Sequence, residues 1–432
     1  MPDALLIPPA RHPITGRFRP PGSKSMTNRA VIIAAAANGA SRLSGVLESE
    51  DTHVMAAGLQ ALGIPLEVDW ASESMTIEGC GGQLPVGSAE IDCRASGTTM
   101  RFLTALCGLG TGPYRLDGTP RMRQRPIGDL LDALAQLSLN ATAESPGRCP
   151  PVVVSGGPPQ GSSSAVVQIR GDISSQFASG LAMIGPCLPG GMQLEFAGEL
   201  VSWPYLEMTN RVMQAFSASA TLTTDTWQIS PVGYRGRDYA IEPDASAASY
   251  FLAMAAITGG QMQIEGLSKE SLQGDVGFTD ALERMGCQVT WHPDAIEVAG
   301  RARHGIEIDM NAISDTVPTL AVVACFAESP TVITNVRHIR DKETDRISDL
   351  VRELRKLGAD VDEFDDGLQI SPRTMQAARL ATYDDHRMAM SLSLAGLLID
   401  GVVIEDPACV GKTFPGYWDA FATVTGNRCS PA

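Results

Sequence analysis

The sequence has few of the residues from which metal sites, disulfide frameworks and aromatic binding surfaces are built. Its nine cysteines are odd in number and form no CxxC pair, so neither a disulfide framework nor a zinc ribbon is indicated. The six histidines are scattered without helical ligand spacing, and aromatic residues make up only 5% of the chain. We therefore predict no metal, no cofactor and a reducing environment.

The sequence also lacks a segment that would carry it into or across a membrane. Its first residues, MPDALLIPPARHP, combine an early acidic residue with prolines, which is not typical of a secretory signal. No apolar run approaches the roughly 20 residues that a bilayer-spanning helix needs. Together with the cysteine pattern, these absences favour a cytoplasmic protein.

Positive charge is scarce, because 33 Lys and Arg stand against 49 Asp and Glu for a formal net charge of −16. Such a field repels polyanions and argues against nucleic acid or an acidic membrane surface as a partner. An anionic ligand would therefore need a local basic site. The remaining composition is that of a globular protein, with 44% hydrophobic residues in a chain of 432, enough for two or three domains.

What the sequence does contain is a sixfold repeat. A short polar cluster opens an apolar segment at Ser25, Ser96, Ser174, Asp244, Ser314 and Asp384, with separations of 71, 78, 70, 70 and 70 residues. Each segment begins with residues typical of a helix N-cap and is apolar on nearly every face, which predicts six buried helices. Amphipathic helices follow five of the segments, and short alternating stretches between them predict strands.

The repeat predicts an α/β protein of two pseudo-symmetric domains, each built from three strand–helix units with buried helices. We place the first domain at residues 22–241. The proline-rich segment PPARHPITGRFRPPG precedes it, and we predict that residues 1–21 return to join residues 242–432 in the second domain. Two crossings would form a hinge, with the active site in the cleft between the domains.

Basic residues recur at or near the starts of these units, where they add to the positive end of the helix dipole. A shared anionic ligand would offset this unfavourable placement. The alternative is that each cation pairs with a nearby carboxylate, such as Asp385 beside Arg387, and that the polar clusters only cap helices. The residues concerned are Lys24, Arg29, Arg101, Arg125, Arg346, Arg387 and Lys412.

The motifs around these cations are suited to anions but not to a nucleotide phosphate loop, because PGSKSMTNR lacks the GxxxxGK[ST] spacing. The segment KETDR, residues 342–346, puts a lysine, an acid and an arginine within one predicted helical turn. DDHRMAM places Asp385, His386 and Arg387 together before an apolar helix, and GKTFPGY holds a lysine in a proline-bounded turn.

Ten segments, taken in order, carry a resemblance to a known family: PGSKSMTNRA, SGTTMRF, PRMRQRPIGDL, ISSQFASGL, EPDASAASYFLA, QGD, SDTVPTLA, KETDRI, YDDHRMAM and KTFPGY. Over essentially the whole chain they closely resemble the 5-enolpyruvylshikimate-3-phosphate synthase family of enolpyruvyl transferases. The resemblance implies that family's inside-out α/β barrel fold. It also implies transfer of the enolpyruvyl group of phosphoenolpyruvate to the 5-hydroxyl of shikimate 3-phosphate, with release of phosphate through a tetrahedral intermediate and without a metal.

The same resemblance implies roles for individual residues. Asp315 would lie at the 5-hydroxyl, Glu343 would donate a proton and Lys24 would contact both substrates. The matching positions for shikimate 3-phosphate are Lys24, Ser25, Arg29, Ser174, Ser175, Gln176, Ser202, Asp315, His338 and Lys342. Those for phosphoenolpyruvate are Lys24, Gly97, Arg125, Gln176, Arg346, Arg387 and Lys412. Without the resemblance, Asp315 and Glu343 are explained equally well as a helix cap and a first-turn acid.

Three positions depart from the usual family pattern. The sequence has Ala95-Ser96-Gly97-Thr98 where many members have Asn-Ala-Gly-Thr, a departure that bears on one polar amide contact of the family. Trp203 follows Ser202 in place of the more usual basic residue. His338 stands where some members have Asn, and we expect it to replace that donor.

Three other functions fit parts of the sequence. An enolpyruvyl transferase acting on UDP-N-acetylglucosamine shares the fold, but it typically carries a loop cysteine, and residues 109–148 contain none. A non-catalytic anion-binding protein would use the same cations, and RNA 3′-end cyclisation fits poorly with the charge of −16. We expect the protein to be a monomer. By the same resemblance we expect glyphosate to inhibit it, because Gly97 leaves the phosphoenolpyruvate pocket unobstructed.

Overall fold

The computed structural model describes residues 1–157, 164–172 and 174–432 of the chain. Over these residues it divides into two compact units, one of residues 22–241 and the other of residues 1–21 with 242–432. The secondary structure alternates between helices and short strands along both units. None of the helices in the described ranges is both long and apolar enough to cross a membrane.

The helices of the described residues are α1 (Lys24–Ala36), α2 (Glu50–Ala61), α3 (Gly97–Cys107), α4 (Gly128–Gln136), α5 (Ser175–Ile184), α6 (Trp203–Ala215), α7 (Ala245–Thr258), α8 (Phe278–Arg284), α9 (Val317–Ala324), α10 (Ser348–Lys356), α11 (His386–Ser393) and α12 (Tyr417–Thr425). Short 3₁₀ turns at Gly274–Gly277, Asn311–Thr316, Arg337–Asp341 and Pro407–Lys412 matter for the site.

The strands are β1 (Ala4–Leu6), β2 (Thr15–Phe18), β3 (Asn38–Ser44), β4 (Leu66–Asp69), β5 (Ser74–Cys80), β6 (Ala89–Asp92), β7 (Tyr114–Asp117), β8 (Asn140–Ala143), β9 (Val152–Ser155), β10 (Ala165–Arg170), β11 (Met192–Ala197), β12 (Ala220–Leu222), β13 (Thr226–Ile229), β14 (Asp238–Ala240), β15 (Gln261–Glu265), β16 (Gln288–His292), β17 (Ala295–Ala299), β18 (Glu307–Asp309), β19 (Thr331–Thr334), β20 (Asp360–Phe364), β21 (Gly367–Ser371), β22 (Arg379–Leu380), β23 (Val403–Glu405) and β24 (Ser430–Pro431).

These strands form six four-stranded sheets that share one topology. In the unit of residues 22–241 the orders are β14-β3-β5-β4, β6-β7-β9-β8 and β10-β11-β13-β12. In the other unit they are β2-β15-β17-β16, β18-β19-β21-β20 and β22-β23-β1-β24. In every sheet the first pair is parallel and the other two pairs are antiparallel. The six sequence repeats therefore correspond to six copies of one structural unit.

The N-terminal segment supplies two strands to the unit in which the chain ends. Strand β2 pairs in parallel with β15, and β1 lies between β23 and β24. The ring of Phe18 at the end of β2 stacks on Phe251 of α7 at a centroid distance of 3.8 Å. Residues 1–21 thus complete two sheets that the later sequence leaves one strand short.

The predicted buried helices are α1, α3, α5, α7, α9 and α11. Every residue of α3, α9 and α11 is buried, as the all-round apolar sequences of these segments predict. Surface helices follow as expected, and α12 adds one after the sixth repeat, where none was predicted. The α/β fold with helices inside is therefore confirmed.

Details of the predicted helix starts are wrong in three repeats. Helix α1 is capped by Ser23 rather than Ser25, and α11 by Asp385 rather than Asp384. The fifth repeat begins with the turn Asn311–Thr316, and α9 follows it without a side-chain cap. The segment KETDR is not a helical turn, because α10 starts only at Ser348.

Candidate active site

Arg29 is a buried cation of the unit that contains residues 22–241. It projects from the middle of α1, is only 2% exposed, and lies over the rings of Phe102 and Tyr205. Its guanidinium donates to the hydroxyl of Thr209 at 2.6 Å, and to backbone carbonyls at 3.0 and 3.4 Å. Within the described residues no carboxylate pairs with Arg29, and burial lowers its pKa to about 10. A buried cation with neutral partners is suited to bind an anion.

Lys24 and Ser25 occupy the first turn of the same helix. The Lys24 ammonium lies 3.6 Å from a carboxylate oxygen of Asp51, which is itself 2% exposed. Ser25 is half-buried, and its carbonyl accepts a hydrogen bond from Arg29 at 3.0 Å. Lys24 therefore has the nearby carboxylate that the pairing alternative predicted, whereas Arg29 does not.

Two guanidinium groups cover Gly97 at the start of α3. A Cβ atom on Gly97 would lie 2.5 Å from Nη1 of Arg101 and 2.7 Å from Nη1 of Arg125. Arg101 donates to the carbonyls of Gly97 at 3.0 Å and Pro126 at 3.4 Å, which ties the helix start to the loop carrying Arg125. The glycine thus allows two cations to approach the backbone at a helix N-terminus, where an anion is favoured.

The start of α5 lies close to the start of α3. Ser174 caps α5 by accepting from the backbone N–H of Gln176 at 3.3 Å, and the Gln176 amide donates to Thr98 at 3.3 Å. Ser175 is half-buried in the first turn. Ser202 caps α6 with φ of +56°, a left-handed conformation that is unusual for serine and often marks a functional position.

In the unit of residues 1–21 and 242–432, Arg346 organises a cluster of carboxylates. Its side chain is 2% exposed and donates to Asp385 at 2.7 Å, to Glu343 at 2.8 Å and to Asp315 at 3.1 Å. Burial alone would disfavour the charged guanidinium, but these three carboxylates outweigh it and raise the pKa of Arg346. The planar guanidinium of Arg346 therefore binds the carboxylates of Asp315 and Glu343 at the same time.

Each of these two carboxylates also contacts a second cation. Arg387 donates to the other oxygen of Asp315 at 2.6 Å, and Lys412 donates to the other oxygen of Glu343 at 2.8 Å. Arg387 is 6% exposed and Lys412 is 6% exposed. With Asp385, three carboxylates and three cations therefore form one largely buried network, which suits proton transfer beside an anion.

His338 and Lys342 lie at the edge of this network. A ring nitrogen of His338 lies 3.0 Å from the hydroxyl of Ser314, which neighbours Asp315. Burial, followed by the nearby Lys342 charge, lowers the pKa of His338 to about 3. His338 is therefore neutral near pH 7 and acts there only as a hydrogen-bonding group.

Within the described residues, the pairing alternative holds for Lys24, Arg346, Arg387 and Lys412, but not for Arg29, and its example is wrong. The Asp385 carboxylate does not pair with the Arg387 guanidinium. It accepts from Arg346 and from the Arg387 backbone N–H at 2.8 Å, so that it caps α11 as well. The Arg387 side chain pairs with Asp315. This role of Asp385 was missed because 39 residues separate it from Arg346.

Asp275 was not predicted as a site residue, although its QGD segment was among the motifs. Asp275 is 5% exposed, and the hydroxyl of Ser246 in α7 donates to it. Burial, followed by the negative charge of Asp315, raises the pKa of Asp275 to about 7. No group of three His, Cys, Asp or Glu side chains in the described ranges could hold a metal ion, and all nine cysteines are free thiols.

Comparison with known proteins places this chain in a family. Residues 9–421 match the model of the family described as EPSP synthase (3-phosphoshikimate 1-carboxyvinyltransferase). A 3-phosphoshikimate 1-carboxyvinyltransferase of Trichormus variabilis is 43% identical, and the match covers 98% of this chain and 100% of that protein. One from Thiobacillus denitrificans is 45% identical, and the match covers 96% of this chain and 98% of that protein. A chloroplastic one from Nicotiana tabacum is 42% identical, and the match covers 97% of this chain and 84% of that protein.

Solved structures agree on the fold. An EPSP synthase from Acinetobacter baumannii has a TM-score of 0.83 at 24% identity, with 99% of each chain covered. The enolpyruvyl transferase NikO of Streptomyces tendae has a TM-score of 0.75 at 19% identity, with 100% of this chain and 99% of that one covered. The family predicted from ten sequence segments is confirmed: the chain belongs to the EPSP synthase (3-phosphoshikimate 1-carboxyvinyltransferase) family.

Proposed function

We propose that this chain transfers the enolpyruvyl group of phosphoenolpyruvate to the 5-hydroxyl of shikimate 3-phosphate, with Asp315 and Glu343 as the proton-transferring pair. The observation that carries this assignment is that both carboxylates are bonded to the Arg346 guanidinium and each contacts a second cation. The two substrates together bring phosphate and carboxylate groups, which such cations bind. Family membership supplies the reaction, and the network supplies groups able to perform it.

The chemistry requires one proton to leave an oxygen and another to reach a carbon. Asp315 accepts the proton of the 5-hydroxyl while that oxygen attacks C2 of phosphoenolpyruvate. Glu343 donates a proton to the methylene carbon, which becomes a methyl group, and a tetrahedral intermediate results. A proton then returns from this methyl group to Glu343, the C–O bond to phosphate breaks, and the proton held by Asp315 passes to the departing phosphate, which releases the enol ether and inorganic phosphate. Protons lost and gained balance over the cycle.

Shikimate 3-phosphate would be held mainly by the unit of residues 22–241. Arg29 is assigned to the ring carboxylate, because its buried guanidinium has only neutral partners in the described residues. The hydroxyls at the starts of α5 and α6 are assigned to the phosphate. The full set is Lys24, Ser25, Arg29, Ser174, Ser175, Gln176 and Ser202, with Asp315, His338 and Lys342 from the other unit.

Phosphoenolpyruvate would be held by cations of both units. Arg125 and the backbone at Gly97 come from residues 22–241, and Arg346, Arg387 and Lys412 come from the other unit, with Lys24 and Gln176 shared between the substrates. We therefore propose a single active site to which both units contribute residues. Arrival of an anion would compete with Asp315 and Glu343 for their cations and leave the carboxylates more basic.

Release of phosphate tests the proposal directly. Purified protein is incubated with phosphoenolpyruvate and either shikimate 3-phosphate, UDP-N-acetylglucosamine or no acceptor, and inorganic phosphate is measured. We expect release with shikimate 3-phosphate alone. Release with UDP-N-acetylglucosamine would assign the sister activity, and binding of both substrates without release would assign an anion-binding protein. We further propose that the enzyme is cytoplasmic and monomeric. Light scattering at several protein concentrations would check the oligomeric state.

Glyphosate should inhibit this enzyme in competition with phosphoenolpyruvate, and Gly97→Ala should weaken that inhibition. The added methyl would overlap the guanidinium ends of Arg101 and Arg125, at 2.5 and 2.7 Å, so both guanidinium groups must shift beside the proposed phosphoenolpyruvate pocket. The longer glyphosate loses more space than phosphoenolpyruvate. We expect the inhibition constant to rise by about 10-fold or more and the KM for phosphoenolpyruvate by less, measured in the phosphate assay.

A matched control for Gly97→Ala is Gly87→Ala, where a Cβ atom would meet nothing closer than 3.7 Å. That variant should keep wild-type inhibition. Equal weakening of glyphosate and phosphoenolpyruvate in Gly97→Ala would refute the steric explanation and indicate that displaced Arg125 weakens both ligands.

His338→Asn should preserve activity because the neutral ring contributes only hydrogen bonding. An asparagine amide can still reach the hydroxyl of Ser314, so we expect kcat/KM within about 3-fold of wild type and an unchanged pH profile. His338→Leu removes the polar group and should raise the KM for shikimate 3-phosphate by about 10-fold. A pH profile that shifts in His338→Asn would show that the imidazole carries charge during turnover.

A further inference from the structure

A buried acid, Asp275, lies behind the proposed base. It belongs to the 3₁₀ turn Gly274–Gly277, which packs against the turn Asn311–Thr316 that carries Asp315: a Cβ atom on Gly277 would lie 3.6 Å from Cγ2 of Ile313. The Ser246 hydroxyl donates to the Asp275 carboxylate from α7. At 5% exposure, Asp275 has little contact with solvent.

The charged groups around Asp275 come from three other elements. Asp244 caps α7, Asp315 lies on the facing turn and Arg387 lies in the first turn of α11; all three interact electrostatically with Asp275. Arg387 is also the partner of Asp315 at 2.6 Å. Asp275 and Asp315 therefore repel each other and share the attraction of one guanidinium.

We propose that Asp275 is a positioning residue for the reaction: its ionised carboxylate repels the charge on Asp315, makes Asp315 a stronger base toward the 5-hydroxyl, and thereby tunes turnover near neutral pH. Two arginines on Asp315 would by themselves weaken it as a base, because they stabilise its carboxylate. A second carboxylate nearby opposes that effect. The inference rests on the proposed role of Asp315, and Asp275 is not among the residues assigned above to either substrate.

The thermal stability of Asp275→Asn distinguishes the proposed role of Asp275 from a merely structural role, because the two roles predict opposite changes in Tm. The pKa of Asp275 is raised in the folded protein from 3.8 to about 7. Its contribution to stability is therefore fully present below about pH 4 and is lost as the pH rises through about 7. Asp275→Asn should then raise Tm at pH 8 by several degrees and leave it nearly unchanged at pH 4. A residue needed for packing would instead lower Tm when replaced.

The kinetic test compares three proteins across pH 5.5 to 9.5 in the phosphate-release assay. Wild type should show an ionisation near pH 7 on the acidic limb of kcat. In Asp275→Asn that ionisation should disappear, kcat at pH 8 should fall about 10-fold, and both KM values should stay within about 3-fold. In Ser246→Ala, loss of the hydrogen bond disfavours the Asp275 carboxylate, so the limb should move to higher pH and kcat should recover at pH 9.

The outcomes separate this inference from the proposed function. A wild-type protein that releases no phosphate would overturn the proposed function. An active wild type whose limb near pH 7 survives in Asp275→Asn would overturn the inference alone. A pH-independent loss of both kcat and Tm in Asp275→Asn would also overturn it, because that pattern indicates a structural role. Disappearance of the limb together with a higher Tm at pH 8 would support it.

Discussion

Asp315→Asn is expected to lower kcat by a factor on the order of 10² to 10⁴ while leaving shikimate 3-phosphate bound, because the amide cannot accept the proton of the 5-hydroxyl. The substitution keeps the side-chain shape but removes a negative charge between Arg346 and Arg387. Both arginines then become more available to anions. The KM for phosphoenolpyruvate should therefore stay unchanged or fall, and steady-state kinetics with a direct binding measurement would check both values.

The control for Asp315→Asn is Asp360→Asn. Asp360 lies on β20 in an exposed ion pair with Arg373 at 2.9 Å, and such pairs contribute little to the stability of a protein. This variant should keep full activity. If Asp315→Asn instead loses binding and turnover in equal proportion, Asp315 positions substrate and another group accepts the proton.

Arg29 and Arg346 are both buried arginines, but replacement by methionine should affect the stability of the protein in only one of them, Arg346. Arg29→Met removes a buried cation whose described partners are neutral, so Tm should change little, while the dissociation constant for shikimate 3-phosphate should rise about 10²- to 10³-fold. Arg346→Met leaves Asp315, Glu343 and Asp385 together without their shared cation. We expect it to lower the free energy of unfolding by about 3 to 5 kcal/mol as well as abolish activity.

Calorimetry and binding measurements on the two variants check this contrast. An Arg29→Met protein that unfolds as readily as Arg346→Met would show that Arg29 stabilises the fold through Thr209 and its backbone carbonyls. Full affinity for shikimate 3-phosphate in a stable Arg29→Met protein would remove Arg29 from the proposed site. Lysine at position 29 should restore part of the affinity, because it supplies the charge without the planar fork.

The periodic features of the fold could be predicted from the sequence because they depend on local patterns. Six helices that are apolar on all faces, such as α7 from Ala245 to Thr258, can be stable only where neighbouring elements cover every side. Regular spacing of about 70 residues then predicts six equivalent units. Family motifs such as PGSKSMTNRA also predicted candidate site residues, because the order of these motifs along the chain is distinctive.

The tertiary structure decided which charges face each other. Arg29 and Arg346 look alike in sequence, as basic residues near helix starts, yet the former has neutral partners in the described residues and the latter holds three carboxylates. Asp275 and Asp315 are 40 residues apart, and only the packing of one turn on another makes them repel. Hydrophobic periodicity is local and survives in the sequence, whereas the energy of an ion pair depends on distance and burial, which only the folded chain sets.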